Sequence, residues 1–282
     1  MKKRIAILSD IHGNVTVLKA VIADLSKQAV DDCWFLGDLV MPGPATNELF
    51  ELLESIDTSV YIRGNWDDCF LNVQRNIVGN HLDDPSDVYI GVLGQYVADH
   101  IKSNYQQKLA SLPIHAIKKV NGLTINLSHN LNTLNSGPAL LEDADTTHFD
   151  ELFSDNTIDI AVYGHFHHQM LRYSSQDQLV INPGSVGQPF FKHGRLNADR
   201  RAQYAILTID DPGLAEVTFR KVAYNLEKEL VIAKEAALPY LNLYQEILFD
   251  GVAHTHDDEL LAKINEQYGY LASLEKLIGR LN

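Results

Sequence analysis

Residues 4–13 read Arg-Ile-Ala-Ile-Leu-Ser-Asp-Ile-His-Gly, an apolar run that ends abruptly in an aspartate, a histidine and a glycine. The run from Ile5 to Leu8 is too short for a signal peptide and is typical of a buried strand. Asn14 can cap the helix that follows, because apolar residues recur at helical spacing between residues 17 and 25. The chain therefore opens with a strand, a polar loop and a helix, which is the unit of an α/β fold.

The same arrangement of a polar loop after an apolar strand recurs along the chain. Gly37-Asp38 follows 33–36, Gly64-Asn65 follows 60–62, Ser128-His129 follows 123–127, and Gly164-His165-Phe166-His167 follows 158–163. Ligand sites in open α/β sheets gather at the carboxyl ends of strands. We therefore expect one cleft to collect seven side chains: Asp10, His12, Asp38, Asn65, His129, His165 and His167.

Further strand patterns at 179–181, 204–209 and 216–222 make the second half of the chain rich in strands. The pattern predicts an α/β fold in which two mixed β-sheets pack as a sandwich flanked by helices. One domain is expected over residues 1–225, with a helical insertion at 70–115 over one side. Residues 226–282 are expected to form a helical C-terminal extension, which either docks on the core or makes a homo-oligomer contact.

Composition narrows the classes of partner. No run of about 18 apolar residues is present, and the two cysteines fit a cytoplasmic protein better than a disulfide-rich secreted one. The 23 basic and 37 acidic residues give a formal charge of −14. This charge argues against broad nucleic-acid binding, which needs a basic face. A small anionic substrate remains compatible, because bound divalent cations reverse the local sign of charge.

The seven expected ligands are carboxylates, an amide and neutral imidazoles. This set favours manganese, iron, nickel or zinc over calcium, and it needs no thiolate. Seven protein ligands are too many for one catalytic ion with open positions, but they suit two ions about 3.5–4 Å apart. We therefore expect two divalent metal ions, with manganese preferred.

Taken together, these residues resemble the signature of the calcineurin-like metallophosphoesterase superfamily. The matching pieces are Asp10-Ile11-His12, Gly37-Asp38, Gly64-Asn65, His129 and Gly164-His165-Phe166-His167. The segment 182–189, Asn-Pro-Gly-Ser-Val-Gly-Gln-Pro, is similar to a companion motif of the small bacterial branch. That branch includes phosphodiesterases and diadenosine polyphosphate hydrolases. The resemblance extends in the right order over residues 4–222.

The resemblance implies roles for the seven residues. Asp10 and His12 with His167 would hold one ion, Asn65 with His129 and His165 would hold the other, and Asp38 would bridge them. It also implies that a hydroxide between the ions is the nucleophile. The expected function is hydrolysis of phosphoanhydride or phosphodiester bonds in nucleoside or dinucleoside polyphosphates, with a small anionic phosphate compound as substrate. A phosphodiesterase for cyclic nucleotides or oligonucleotide ends and a non-catalytic metal-binding scaffold remain alternatives.

One position departs from the family pattern. Many relatives have a histidine after the Gly-Asn pair that assists the leaving group, whereas this chain has Trp66. An indole cannot protonate a leaving alkoxide. A departing phosphate, with a second pKa of about 6, needs little help. Trp66 therefore favours phosphoanhydrides or activated diesters as substrates, and its ring is a candidate for contact with a nucleobase.

Several neighbouring residues are weaker candidates. Asp67 has either a catalytic role or a part in orienting loops, and His168 is a candidate for contact with substrate. Asn182, Gly184 and Ser185 form either a tight turn or a backbone nest that binds the phosphate.

Overall fold

The computed structural model describes residues 1–75 and 82–281. Ten strands occur in this part of the chain: β1 (Lys3–Leu8), β2 (Asp32–Phe35), β3 (Thr58–Tyr61), β4 (His115–Val120), β5 (Leu123–Ser128), β6 (Ile160–Tyr163), β7 (Gln169–Tyr173), β8 (Leu179–Pro183), β9 (Ala202–Ile209) and β10 (Ala215–Val222). They form two five-stranded sheets with the orders β10-β9-β1-β2-β3 and β4-β5-β6-β8-β7. Both sheets are mixed, so the predicted fold class is confirmed.

The helices in the described residues are α1 (Val15–Leu25), α2 (Asn47–Ser55), α3 (Asn65–Gln74), α4 (Pro85–His100), α5 (Ser103–Ser111), α6 (Thr146–Phe149), α7 (Gly194–Asn197), α8 (Leu226–Glu235), α9 (Leu241–Asp250), α10 (Asp258–Tyr268) and α11 (Tyr270–Leu281). The predicted insertion corresponds to α3–α5 and the predicted extension to α8–α11. Residues 76–81 and 282 lie outside the described residues, and the division into domains stays a prediction. Within the described ranges, no helix is both long and apolar enough to cross a bilayer.

Alternating side chains of β1 build two separate cores. Ile5 and Ile7 point between the sheets, where they join a buried cluster with residues of β2, β5, β6 and β9. Ala6 and Leu8 point to the opposite face and pack beneath α1 and α2 in a second cluster. Because successive side chains of a strand point to opposite faces, an entirely apolar strand must be covered on both. This explains the helical layer over the first sheet.

The parallel strands bring the polar loops together. β1 pairs with β2 and β2 with β3 in parallel, and β5 pairs with β6 and β6 with β8 in the same way. The carboxyl ends of the two parallel sets meet at one end of the sandwich. Backbone hydrogen bonds connect the sets there, since Arg63 N donates to Pro113 O and Val186 N donates to Ser9 O.

Two strands were not predicted from the sequence. β4 and β7 lie at opposite edges of the second sheet, where three of the six residues of β4 and two of the five residues of β7 are exposed. Edge strands carry polar residues on the solvent side, and His115 and Lys119 in β4 have that effect. Their mixed composition therefore hides the apolar pattern by which buried strands are recognised.

The C-terminal helices are fixed to the core by aromatic and polar contacts. The ring of Tyr240, before α9, lies 4.7 Å from that of Tyr89 on α4 and 4.6 Å from that of Tyr270 on α11. Asn265 on α10 accepts a hydrogen bond from the Tyr240 hydroxyl and donates one to Pro85 O. The extension therefore shares one apolar core with α4.

A buried carboxylate joins the extension to the first helix. Glu229 on α8 is fully buried and accepts hydrogen bonds from Thr16 N at 3.0 Å and from the Tyr244 hydroxyl at 3.2 Å. Thr16 lies in the first turn of α1, directly after the loop that carries Asp10 and His12. Burial raises the pKa of Glu229 above its ordinary value of 4.5.

The raised pKa of Glu229 predicts a specific dependence of stability on pH. Above pH 4.5 the unfolded chain releases a proton that the folded protein still holds, so this stabilising contribution is lost as pH rises through the folded-state pKa. Glu229→Gln keeps an acceptor without charge, and its free energy of unfolding relative to the original protein should increase with pH. Glu229→Ala should cost about 1–3 kcal/mol, because it leaves buried donors unpaired.

Urea unfolding of these variants between pH 5 and pH 8 measures the effect. Glu227→Gln is the matched control, since Glu227 is exposed on the same helix. A difference between Glu229→Gln and the original protein that stays constant over this pH range would contradict the account.

Candidate metal centre and substrate cleft

The structure brings the seven predicted ligands together in the loops that follow β1, β2, β3, β5 and β6. Five of them have left-handed backbone conformations, with φ of 58° at Asp10, 54° at His12, 57° at Asp38, 67° at His165 and 56° at His167. This conformation costs a non-glycine residue roughly 1–2 kcal/mol, so it persists only where the surroundings enforce it. Hydrogen bonds from Asp10 N to Gly37 O and from His12 N to Asp38 O provide that enforcement.

Asp10, His12 and His167 form the first group of converging atoms. His167 Nε2 lies 3.2 Å from Asp10 Oδ1 and 3.1 Å from His12 Nε2. His12 Nε2 lies 3.9 Å from Asp10 Oδ1. One ligand atom from each residue lies within 4.8 Å of the others, as three ligands of a common cation require.

Asn65, His129 and His165 form the second group. Asn65 Oδ1 lies 3.0 Å from His129 Nε2 and 2.8 Å from His165 Nδ1. Asp38 lies between the groups, with Oδ2 at 3.3 Å from His129 Nε2 and 3.7 Å from His12 Nε2. Its other oxygen, Oδ1, accepts a hydrogen bond from Trp66 N. This bond turns Oδ2 toward both groups, as a bridging ligand requires.

Backbone carbonyls orient three of the four imidazoles. Nδ1 of His12, His129 and His167 lies 2.7–2.8 Å from a carbonyl oxygen, belonging to Met41, Leu36 and Gln188 respectively. Nδ1 must carry the hydrogen to donate there, so the lone pair of a neutral ring lies on Nε2 and points into the site. His165 instead directs Nδ1 inward.

The buried carboxylate of Asp10 indicates whether these residues fit a metal cation. Asp10 is fully buried, and neither of its carboxylate oxygens accepts a hydrogen bond within the described part of the chain. Burial opposes its ionisation, but His167, His129 and His12 outweigh burial and lower its pKa. Two Nε2 lone pairs only 3.1 Å apart on His12 and His167 also repel unless a positive species lies between them. The residues fit divalent cations.

The histidines of the site differ in the direction in which their pKa is shifted. Burial lowers the pKa of His12 and of His165 to about 4, so both rings are neutral at pH 7 and offer lone pairs. Burial also opposes charge on His129, but Asp38 and then Asp10 overcome it and raise its pKa to about 9. Without a metal, a proton on His129 therefore supplies part of the positive charge that the carboxylates require.

Asp67 lies beneath the metal centre. It is fully buried, and its carboxylate accepts hydrogen bonds from Asp38 N, Leu39 N and Gly64 N at 2.9–3.0 Å. Burial and then the charge of Asp38 raise the pKa of Asp67 to about 7. These contacts join the loop after β2 to the start of α3. The catalytic role of Asp67 stays a prediction, and its contacts are those of a positioning residue.

The end of β8 and the residues after it support the loops from the other side. Asn182 Nδ2 donates to Gly164 O, Ser185 Oγ donates to Asp10 O, and Gly184 N donates to Asn182 Oδ1. Asn182 and Ser185 are fully buried, and the structure places all three residues behind the metal-facing side chains. Their contribution to substrate binding stays a prediction.

A cavity of about 210 Å³, the metal-side cleft, opens over the site. Its walls contain Asp38, Asn65, His165 and His167. The other described residues that line it are Pro42, Trp66, Gln188, Pro189, Phe190, Ile247, Gly251, Ala253 and Thr255. The ring of Trp66 packs edge-on against that of His12 at 5.9 Å. His168 contacts Phe191 at 4.8 Å between ring centroids, and its role in catalysis stays a prediction.

Sequence reasoning missed the walls that come from the C-terminal extension. Ile247 lies on α9, and Gly251, Ala253 and Thr255 lie in the loop between α9 and α10. Small and apolar residues carry no chemical signature, so only the nearby cluster His254-Thr255-His256-Asp257 offered a signal. The carbonyls of Leu36, Met41 and Gln188 are equally invisible in a sequence, because every residue has one.

Comparison with known proteins agrees with this geometry. The calcineurin-like phosphoesterase superfamily domain matches residues 3–212. The uncharacterized protein MJ0912 of Methanocaldococcus jannaschii is 26% identical over 242 residues, which are 81% of this chain and 90% of that protein.

Solved structures show the same arrangement of elements. A metallophosphoesterase from Sphaerobacter thermophilus is 25% identical with a TM-score of 0.65, over 88% of this chain and all of that one. The hypothetical protein PH1004 from Pyrococcus horikoshii OT3 is 20% identical with a TM-score of 0.69, over 89% and 99% of the two chains, and shows the likeness of fold.

Gly64 offers a steric test of the site. A Cβ at Gly64 would overlap Asp38 Oδ1, although the φ of −90° suits any residue. Gly64→Ala should therefore displace Asp38, lower the bound metal from two ions per chain toward one or none, and reduce turnover at least about tenfold. Elemental analysis and circular dichroism measure metal content and folding. Gly194→Ala is the control, because its Cβ would meet open space. Full metal occupancy in Gly64→Ala would contradict the assignment of Asp38.

Proposed function

The chain belongs to the calcineurin-like phosphoesterase superfamily and is a metal-dependent phosphoesterase, and on that premise we propose that it is a dinuclear phosphohydrolase. The proposed substrates are nucleotide-type compounds with phosphodiester or phosphoanhydride bonds. One observation carries the proposal: Asp38 Oδ2 lies between two groups of inward-facing donor atoms, 3.3 Å from His129 Nε2 and 3.7 Å from His12 Nε2.

The first ion would be held by Asp10, His12 and His167, and the second by Asn65, His129 and His165, with Asp38 shared between them. Asp10 Oδ1 also lies 3.9 Å from His129 Nε2, which brings the two groups into close contact. Bound divalent cations would acidify a water molecule at neutral pH and offset charge on phosphoryl oxygens. Oxygen and imidazole donors support manganese, with iron, nickel or zinc as alternatives.

The protein's own contribution is to hold these donors rigidly. Three imidazoles are fixed by carbonyl hydrogen bonds, and Asp38 is fixed by Trp66 N. Trp66 lines the cleft, and its indole N–H can donate a hydrogen bond but is too weak an acid to protonate a leaving oxygen. We therefore infer that favoured substrates have leaving groups that depart as weak bases, such as phosphates or aryl oxides.

Replacing the bridging carboxylate tests the dinuclear mechanism. Asp38→Asn removes one negative charge shared by both groups, so turnover of bis(p-nitrophenyl) phosphate with manganese should fall at least about 100-fold. The variant should also bind fewer than two ions per chain. Asp177→Asn makes the same change in an exposed turn and should keep full activity. Equal turnover by Asp38→Asn and the original protein would rule out this mechanism.

Replacing Trp66 tests the account of the leaving group. Trp66→His introduces a group that can donate a proton, and general acid catalysis typically contributes about 10²–10⁴. The variant should raise the rate on a diester with an alkoxide leaving group at least about tenfold relative to the aryl diester. Phosphorus NMR follows the alkyl substrate. Trp66→Phe, which has no donor, should leave the ratio unchanged. A ratio that is the same in all three proteins would contradict the assigned effect of the indole.

A further inference from the structure

The cleft continues past the metal centre into a second cavity, the outer chamber, of about 720 Å³. Trp66, Cys69 and Ile90 form one side of it, and residues 252–257 between α9 and α10 form the other. We propose that the outer chamber is a subsite for an uncharged organic group of the substrate. It would narrow the proposed substrates to phosphodiester monoanions, in preference to phosphomonoester dianions and to polyphosphates with phosphate leaving groups. This inference rests on the proposed function.

The position of the outer chamber supports its use by a group attached to the reacting phosphate. Asn65, Trp66 and His165 line both the chamber and the metal-side cleft, and so do Ala253 and Thr255. A substituent on a phosphate at the metal centre therefore has a direct path into the chamber. Small-molecule sites usually measure about 300–1,000 Å³, so this volume suits an aryl or nucleoside group better than a methyl group.

The charges around the outer chamber argue against the binding of additional phosphate groups of a substrate there. Neither lysine nor arginine occurs among its described lining residues or those of the metal-side cleft. A polyphosphate or a monoester brings negative charge beyond the single charge of a diester, and this charge needs a cationic partner when it leaves water. The carboxylates of Asp257 and Glu246 lie at this wall instead, on either side of the His254 ring.

The wall made by the extension is held in place before any ligand arrives. His254 Nε2 lies 2.7 Å from Glu246 Oε2 on α9, and its Nδ1 lies 3.3 Å from Asp257 Oδ2. Asp257 also caps α10 by accepting from Leu260 N. At the start of the loop, Asn197 Nδ2 donates to Asp250 O. A fixed wall excludes substrates by shape and charge at little cost in binding entropy.

This wall lies outside the matched family domain, which ends at residue 212. The metal ligands therefore belong to the shared part of the chain, whereas the outer chamber depends on residues after it. Trp66 forms the boundary between the two, since its ring lines both cavities. Substrate preference and metal chemistry are thus separable by substitution.

The experiment compares three substrates with the same leaving group: bis(p-nitrophenyl) phosphate, methyl p-nitrophenyl phosphate and p-nitrophenyl phosphate. Assays use the manganese-loaded full chain at one fixed pH. We expect kcat/KM to fall in that order. Val252→Lys places a cation in the outer chamber, since Val252 is 41% exposed and lines it. It should raise kcat/KM for the dianionic monoester relative to the bis-aryl diester by about five- to tenfold.

Matched variants separate the chamber from general charge effects. Val252→Asp should shift the same ratio in the opposite direction. Val231→Lys makes the same change at an exposed valine on α8, outside both cavities, and should leave the ratio unchanged. An active enzyme that prefers the monoester, or whose ratio responds equally to Val252→Lys and Val231→Lys, would overturn this inference alone. Inactivity on all three substrates would overturn the proposed function, and the inference with it.

Discussion

An ionised carboxylate without hydrogen bonds, buried at the junction of two sheets, is the constraint on which the rest of the site depends. Asp10 has no exposed surface, and the Nε2 atoms of three imidazoles lie 3.2–3.9 Å from its Oδ1 atom. A buried charge without compensation costs several kcal/mol, so the fold must supply a positive species at this point. Protons on His129 and His167 supply it in part, and divalent cations would supply it fully.

The loops around Asp10 are built to resist the forces that this charge creates. The Asp10 charge attracts the imidazoles, and hydrogen bonds from Nδ1 to backbone carbonyls hold three of the rings in place. Two side chains hold the backbone of these loops by hydrogen bonds. Asp67 accepts one from the loop after β2, and Ser185 donates one to the loop after β1. The left-handed residues are therefore stable in conformations that short peptides would leave.

The acidic character of the chain and the nature of its cleft are consistent with each other. A net charge of −14 repels polyanions at long range, and the cleft walls add no lysine or arginine among their described residues. In the proposed function, the attraction for phosphate would reside almost entirely in the metal centre. The loop between α9 and α10 would then contact the part of the substrate that is not phosphate. Glu229 connects the C-terminal helices to the start of α1, next to the loop that carries Asp10 and His12.

The sequence by itself determined the fold class and the seven candidate ligands. Apolar runs such as Ile5–Leu8 define buried strands locally, and a polar residue after each run lies at a carboxyl end whatever the strand order. Edge strands β4 and β7 escaped prediction because five of their eleven residues are exposed, which interrupts the apolar pattern.

Tertiary structure alone decided which oxygen of Asp38 faces both groups, which carbonyls hold the imidazoles, and that residues 251–257 reach the cleft. These features depend on contacts between residues distant in the chain, such as His129 with Leu36. Local periodicity contains no information about such contacts, because it records only which side of an element is buried and not what lies against it.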